Sequence, residues 1–107
     1  MNVARSRDYR EHLLEMLKDP KEAEAYLNAV LEDYKENDEE SQKLLLLALR
    51  NVSEAQGGMA MLAEKTGLGR ESLYKTLSSH GNPRLNTLAC VVHAMGFNLQ
   101  VSLVSKR

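Results

Sequence analysis

The stretch of residues 59–78 constrains the fold of this chain more than any other segment. It predicts two short helices that cross near a right angle. Such a crossing needs a small residue where the helices touch and a residue that tolerates positive φ in the turn. Ala63 and Gly67 meet these two needs, and leucines bury the inner faces. The pattern therefore favours a helix-turn-helix, whose defining positions are Leu62, Ala63, Gly67, Leu68 and Leu73.

The outer face of the second short helix is polar and is the candidate surface for binding a nucleic acid. Arg70 and Glu71 lie in its first turn, from which base edges of DNA are usually reached. Arginine can donate two hydrogen bonds to guanine, and glutamate can accept one from cytosine. The loop that follows adds side chains suited to the DNA backbone. The predicted DNA-binding residues are Gly69, Arg70, Glu71, Tyr74, Lys75, Ser78, Asn82 and Arg84.

The same spacing also fits a helical hairpin that packs without touching DNA. Two residues keep that alternative open. Gly69 stands where Ser or Thr would cap the helix better, and DNA phosphates would repel Glu71 unless its carboxylate found a donor on a base. The positive charges of Arg70 and Lys75 on the outer face favour DNA binding over the simple hairpin.

The first half of the chain contains two clear helix start signals. Asp8 with Glu11 predicts a capping box at the start of a first helix. Asp19 precedes Pro20 at the first position of a second helix, and Glu22 is placed to return a hydrogen bond to the cap. The second helix carries one apolar face, formed by Ala23, Tyr26, Leu27, Val30, Leu31 and Tyr34.

A third helix is predicted over residues 39–56, with Asp38 as its N-cap. It is apolar on most sides, which is typical of a central helix packed by neighbours all round. Gly57 and Gly58 end it, because glycine tolerates the left-handed conformation at a helix C-terminus. The chain is thus predicted to be an all-α, lambda repressor-like bundle of five or six helices. The remaining helices are expected over residues 59–65, 70–78 and 85–95.

Residues 97–103 alternate between apolar and polar side chains, which predicts a half-buried strand. One strand cannot satisfy its own backbone groups, and the chain offers no clear second strand. We therefore expect the strand to pair with its equivalent in a second subunit, giving a homodimer. The alternative is an irregular tail that clips onto its own core.

The net charge of −1 conceals an uneven distribution of charge along the chain. Residues 1–40 carry 6 Lys/Arg and 12 Asp/Glu, whereas residues 41–107 carry 8 Lys/Arg and 3 Asp/Glu. Such asymmetry suggests two faces with different partners. The basic part suits a polyanion, and the acidic part suits a basic protein, unless it is only a solvated helix surface.

These observations divide a single domain, residues 1–107, into three parts. Residues 1–40 form an acidic helical part and a candidate contact for a basic protein. Residues 41–96 form the helix-turn-helix part that is expected to bind DNA. Residues 97–107 form the C-terminal strand and tail.

The composition excludes several classes of protein. A single cysteine, Cys90, excludes an internal disulfide framework and a cysteine-based zinc site, and it favours a cytoplasmic location. The longest apolar run, residues 44–49, is too short to span a bilayer, and no signal peptide is visible. The protein is therefore not expected to contact a membrane.

No catalytic constellation is predicted. Residues 72–75 match the Ser-x-x-Lys pattern of acyl-transfer enzymes, but the companion motifs are missing and chance explains the match better. His12 and Glu15 lie one turn apart, yet two ligands do not make a metal site. We expect neither an enzyme nor a protein with a cofactor, a metal or a small-molecule substrate.

Six segments spread over nearly the whole chain carry a more specific pattern. They are residues 18–20 (Lys-Asp-Pro), 22–29 (Glu-Ala-Glu-Ala-Tyr-Leu-Asn-Ala), 46–50 (Leu-Leu-Ala-Leu-Arg), 57–78, 81–85 (Gly-Asn-Pro-Arg-Leu) and 95–99 (Met-Gly-Phe-Asn-Leu). Together they resemble the probable addiction-module antidote proteins, HigA-like antitoxins with a Cro/repressor-type DNA-binding domain.

The resemblance implies an antitoxin from a bacterial or prophage type II toxin–antitoxin operon. Such a protein binds and blocks a RelE-like ribonuclease toxin, and it binds double-stranded operator DNA as a dimer to repress its own operon. RelE-like toxins are basic, so the acidic half is a fitting contact, with Glu24, Glu32 and Asp33 as candidate residues. Two alternatives stay open, a phage-type repressor without a toxin partner and a pure protein-interaction module.

Overall fold

Six helices, α1 to α6, form the regular structure of the described part of the chain. A computed structural model describes the backbone of residues 3–104 and the side chains of residues 7–104. In chain order the helices span Val3–Met16, Pro20–Glu32, Glu39–Ala55, Gly58–Thr66, Arg70–Thr76 and Leu85–Ala94. The structure confirms the expected all-α bundle. Of the five or six helices predicted, the described residues form six.

Two of the predicted helix starts are formed by aspartate caps. The Asp19 carboxylate accepts the backbone N–H of Lys21 at 3.0 Å, with Pro20 opening α2. The Asp38 carboxylate accepts the backbone N–H of Ser41 at 3.1 Å at the start of α3. Both bonds satisfy N–H groups that a helix start otherwise leaves without a partner. The return bond expected from Glu22 is absent, because the Asp19 N–H donates to the Met16 carbonyl instead, at 3.2 Å.

The predicted start of the first helix is wrong. The helix α1 begins at Val3, so Asp8 lies inside it and is not its cap. The residues before Asp8 include no Pro or Gly, and Ala4, Arg5 and Arg7 all favour helix. Nothing in this stretch therefore stops the helix from extending toward the N-terminus.

Helix α3 is central, as predicted, and packs against α1, α2 and α4. It is not covered on all sides, however, because Leu44 and Leu47 remain exposed. The apolar face predicted for α2 is also covered only in part, since its last members, Leu31 and Tyr34, are exposed. The core draws on every helix from α2 to α6 and on Leu17 after α1. Its members are Leu17, Ala23, Leu27, Leu46, Ala48, Leu49, Val52, Leu62, Leu73, Leu77, Val91, Val92 and Met95.

The C-terminal strand predicted over residues 97–103 is not formed in the described chain. The backbone N–H of Phe97 donates to the Val92 carbonyl at 3.0 Å, and residues 98–104 form no backbone ladder with any other described residue. A strand persists only where a second extended segment supplies partners for its N–H and C=O groups. Residues 3–96 offer no such segment, so residues 97–104 remain irregular.

None of the described helices could span a membrane. Across residues 3–104, none has the length and hydropathy needed for a membrane span.

Candidate nucleic-acid interface

The turn between α4 and α5 is built by a threonine and a glycine. The Thr66 hydroxyl donates to the Leu62 carbonyl at 2.8 Å and accepts the backbone N–H of Leu68 at 3.2 Å. Gly67 follows with φ of +76°, and its N–H donates to the Ala63 carbonyl at 2.9 Å. This conformation is strained for residues with a β-carbon, as the sequence predicted for this position. Residues 67–69 therefore form the turn that separates α4 from α5.

The inner face of α5 is anchored by leucines. Leu73 and Leu77 are each 1% exposed, and Leu62 of α4 is buried beside them in the same core. Gly69 is the N-cap of α5 and offers no side-chain hydrogen bond, but its carbonyl accepts the N–H of Leu73 at 2.9 Å. Helix α5 is thus held by burial of one face more than by capping.

Helix α3 holds the C-terminal end of α5 and the loop that follows. The Arg50 guanidinium donates to the Leu77 carbonyl, and the Gln42 side-chain amide donates to the Gly81 carbonyl at 2.9 Å. Gly81 is buried, and a β-carbon there would lie 1.8 Å from the Thr76 carbonyl oxygen. Only glycine allows the loop to pass this close to the end of α5.

The predicted DNA-binding residues are exposed around α5 and the following loop, apart from one. Ser78 is half-buried, and its hydroxyl donates to the Lys75 carbonyl at 2.8 Å. Tyr74 is 53% exposed, so about half of the residue's surface faces solvent. The exposed members of the set are Gly69, Arg70, Glu71, Tyr74, Lys75, Asn82 and Arg84.

The charge of this surface is predominantly positive. Arg70, Lys75 and Arg84 contribute three cations, and Glu71 contributes one carboxylate. The two ion pairs found among residues 7–104, Arg10 with Glu54 and Lys18 with Glu15, lie elsewhere. The guanidinium and ammonium groups of the surface are therefore not engaged in ion pairs with described carboxylates.

Arg50 and Gln42 position this surface, and the sequence reasoning missed both. They lie eight residues apart on α3, on the stripe that also holds the buried Leu46. Polar side chains that flank a buried leucine on one helix stripe indicate hydrogen bonds to a neighbouring element. The spacing of Gln42, Leu46 and Arg50 can be read from the sequence, although it does not show which carbonyl groups accept the hydrogen bonds.

The other candidate groups do not converge on a reactive site. His12 and Glu15 are both exposed, and no group of three His, Cys, Asp or Glu side chains in the described chain could hold a metal ion. Cys90 is half-buried, and His93 is exposed.

Comparison with known proteins identifies the family. A family model described as "probable addiction module antidote protein" matches residues 10–103. An uncharacterised protein of Haemophilus influenzae strain Rd is 36% identical over 94 residues, which covers 88% of this chain and 86% of the relative. No solved structure matches the chain significantly. The match extends from α1 into the segment after α6, so this chain belongs to the family of probable addiction module antidote proteins.

Proposed function

We propose that the chain is the antitoxin of a type II toxin–antitoxin module and represses its own operon by binding operator DNA as a homodimer. Membership of the antidote family supports a toxin partner. The observation that carries the DNA-binding part is the two-sided character of α5. Leu73 and Leu77 are buried against the core, whereas Arg70 in the first turn and Lys75 on the outer side are exposed and free to reach a groove of DNA.

In this proposal α4 and α5 form a helix-turn-helix, and α5 is its recognition helix. Arg70 donates to guanine O6 and N7, and Glu71 accepts from the cytosine amino group. Tyr74, Lys75 and Ser78 extend the contact along the groove. Gly69, Asn82 and Arg84 lie beside the sugar–phosphate backbone and set the register of the helix.

A homodimer places two recognition helices in successive major grooves, about 34 Å apart. Doubling the contact raises both affinity and the length of the recognised sequence. We assign this role to residues 41–96 of a single 107-residue domain, and we place the protein in the cytoplasm with its DNA.

The toxin contact is assigned to residues 1–40 and the toxin to the RelE-like ribonucleases. Glu24, Glu32 and Asp33 are exposed on α2 and just after it. Their charge complements the basic surface with which such a ribonuclease holds RNA, and complementary charge accelerates association. The same carboxylates would repel DNA, so the two partners occupy different parts of the molecule.

The DNA-binding part of the proposal is tested by fluorescence anisotropy with a duplex from the promoter of the chain's own gene. We expect tight binding to this duplex and much weaker binding to a scrambled duplex. The double variant Arg70→Ala/Lys75→Ala should lose at least tenfold in affinity. The matched control Lys35→Ala/Lys43→Ala removes the same charge from exposed positions outside α5 and should change affinity little. Equal losses in both variants would refute a specific role for α5.

Co-expression with the neighbouring reading frame tests the toxin part. A small basic protein that co-purifies with the chain, and whose ribonuclease activity the chain suppresses, would support the antitoxin. Promoter binding without such a partner would favour the phage-type repressor. A bound partner without promoter binding would leave a pure interaction module.

A further inference from the structure

The segment that follows Gln100 exposes apolar side chains to water. Val101 is 100% exposed, Leu103 is 99% exposed and Val104 is 77% exposed. We call residues 101–104 the tail. Its backbone also forms no hydrogen bonds with other described backbone groups. Neither the side chains nor the backbone of the tail is therefore stabilised by the other described residues, and concentrated apolar exposure of this kind marks an interaction site.

An open apolar groove of about 320 Å³ lies directly beside the tail, and we call it the α2–α3–α6 groove. Its floor and walls come from three helices, and Leu31 on the rim is 46% exposed. One edge is formed by residues 97–100, which lead into the tail. The principal apolar side chains of the groove are Leu27, Leu31, Leu45, Leu49, Leu88 and Val92.

A second copy of the chain is the occupant that fits this groove. The groove's own chain already supplies one edge through residues 97–100 and then leaves, with its tail in solvent. If the tail of another copy lay in this groove, its exposed apolar side chains and the exposed apolar surface of the groove would bury each other. The charges agree as well, because Glu24 lines the groove and Lys106 and Arg107 follow the tail in the sequence. Of the three carboxylates proposed to contact the toxin, Glu32 and Asp33 do not line the groove and stay accessible in the dimer.

We propose that the tail of each copy lies in the α2–α3–α6 groove of the other, so that two copies form a symmetric dimer by exchange. The contact is isologous, since each copy gives one tail and receives one. The inference specifies the dimer of the proposed function and rests on it. No residue of α5 lines the groove, so the exchange leaves the candidate DNA-binding surface free.

Sedimentation velocity of the full chain without DNA is the first test. The unaltered protein should sediment as a dimer. Leu103→Asp should raise the dimer dissociation constant at least tenfold, while the circular dichroism spectrum stays unchanged because Leu103 packs against nothing in the single chain. Ser102→Asp adds the same charge at the neighbouring position, on the other side of an extended segment, and should raise it much less. A monomeric unaltered protein, or equal effects of the two variants, would overturn the proposal.

Disulfide trapping identifies which chain fills the groove. In a Cys90→Ser background, one chain carries Leu31→Cys at the groove and a second, affinity-tagged chain carries Leu103→Cys in the tail. Oxidation of the mixture should yield the mixed disulfide as the main product. A chain with both cysteines that oxidises within itself would show that the tail folds onto its own groove and would overturn exchange. Dimers that form no mixed disulfide would place the contact elsewhere.

These readouts use no DNA and are separable from the test of the proposed function. Failure of the exchange would leave a protein that binds its promoter but dimerises through another surface. Failure of DNA binding would leave an intact dimer with trapped tails.

Discussion

Gly81 is a single residue on which the placement of the loop after α5 depends. A β-carbon there would lie 1.8 Å from the Thr76 carbonyl oxygen, which is backbone and cannot rotate away. We predict that Gly81→Ser lowers the free energy of unfolding by about 1–3 kcal/mol, the usual cost of overpacking a filled site. The midpoint of urea denaturation measures this loss.

Gly69→Ser is the matched control for that substitution. A β-carbon at Gly69 would meet no atom within 4 Å, and φ of −69° suits any residue. Serine is also a slightly better N-cap than glycine, so the free energy of unfolding should stay equal or rise by about 0.3 kcal/mol. Comparable losses at the two positions would show that Gly81 has no special role.

Arg70 is the residue to which the proposal assigns base recognition. We predict that Arg70→Ala costs about 1–3 kcal/mol of operator binding and relaxes the base preference at one position in each half-site. Selection of bound duplexes from a randomised pool, followed by sequencing, measures the preference. An unchanged preference in the variant would contradict the assigned role, even if the affinity fell.

At the scale of the helices, the elements that sequence reasoning predicted well are those whose signals are local. Asp19 and Asp38 cap α2 and α3 through bonds to N–H groups two and three residues away, so a short stretch contains the whole interaction. Gly67 is similar, because its positive φ is a property of one residue in one turn. Such features are readable without knowledge of the rest of the fold.

The elements that were mispredicted depend on what lies outside the segment. Asp8 has a side chain that could cap a helix, yet the residues before it are also helical. Asp8 therefore lies inside α1 and not at its start. The alternation of residues 97–103 is compatible with a strand, but a ladder requires a partner segment, and the described part of the chain contains none. Likewise, the pattern of α2 does not reveal that the described residues leave Leu31 46% exposed.

Helix α5 depends on α3 for its position, and Arg50 provides the direct link. Its guanidinium donates to the Leu77 carbonyl at the end of α5. We predict that Arg50→Ala lowers the free energy of unfolding by about 1.5–3 kcal/mol, the range for hydrogen bonds to charged groups. It should also weaken promoter binding, because the C-terminal end of α5 loses its support.

Lys43→Ala is the control for Arg50→Ala on the same helix. Lys43 is exposed, and its removal deletes the same charge without breaking a hydrogen bond to α5. Surface changes of this kind usually alter stability by less than about 0.5 kcal/mol. Urea denaturation and anisotropy of both variants make the comparison. A loss of DNA affinity that is equal in both would mean that only the net charge matters.

At the scale of the whole molecule, the uneven distribution of charge has opposite consequences for the two proposed partners. Carboxylates on α2 attract a basic toxin and repel DNA through the same long-range field. Glu24→Gln, Glu32→Gln and Asp33→Asn together remove three negative charges from exposed positions. We predict that this triple variant associates with the toxin about tenfold more slowly at low salt. It should bind its promoter as tightly as the unaltered protein or somewhat more tightly.

Glu71→Gln separates this field effect from a local contact. It removes one carboxylate from α5, where the proposal places a cytosine, so promoter recognition should change while toxin association stays the same. Stopped-flow association at several salt concentrations measures the toxin rates, and the difference between the triple variant and the unaltered protein should shrink as salt screens the charges. If the triple variant kept the full association rate at low salt, the acidic half would be a solvated surface, and the toxin contact would have to lie on another part of the molecule.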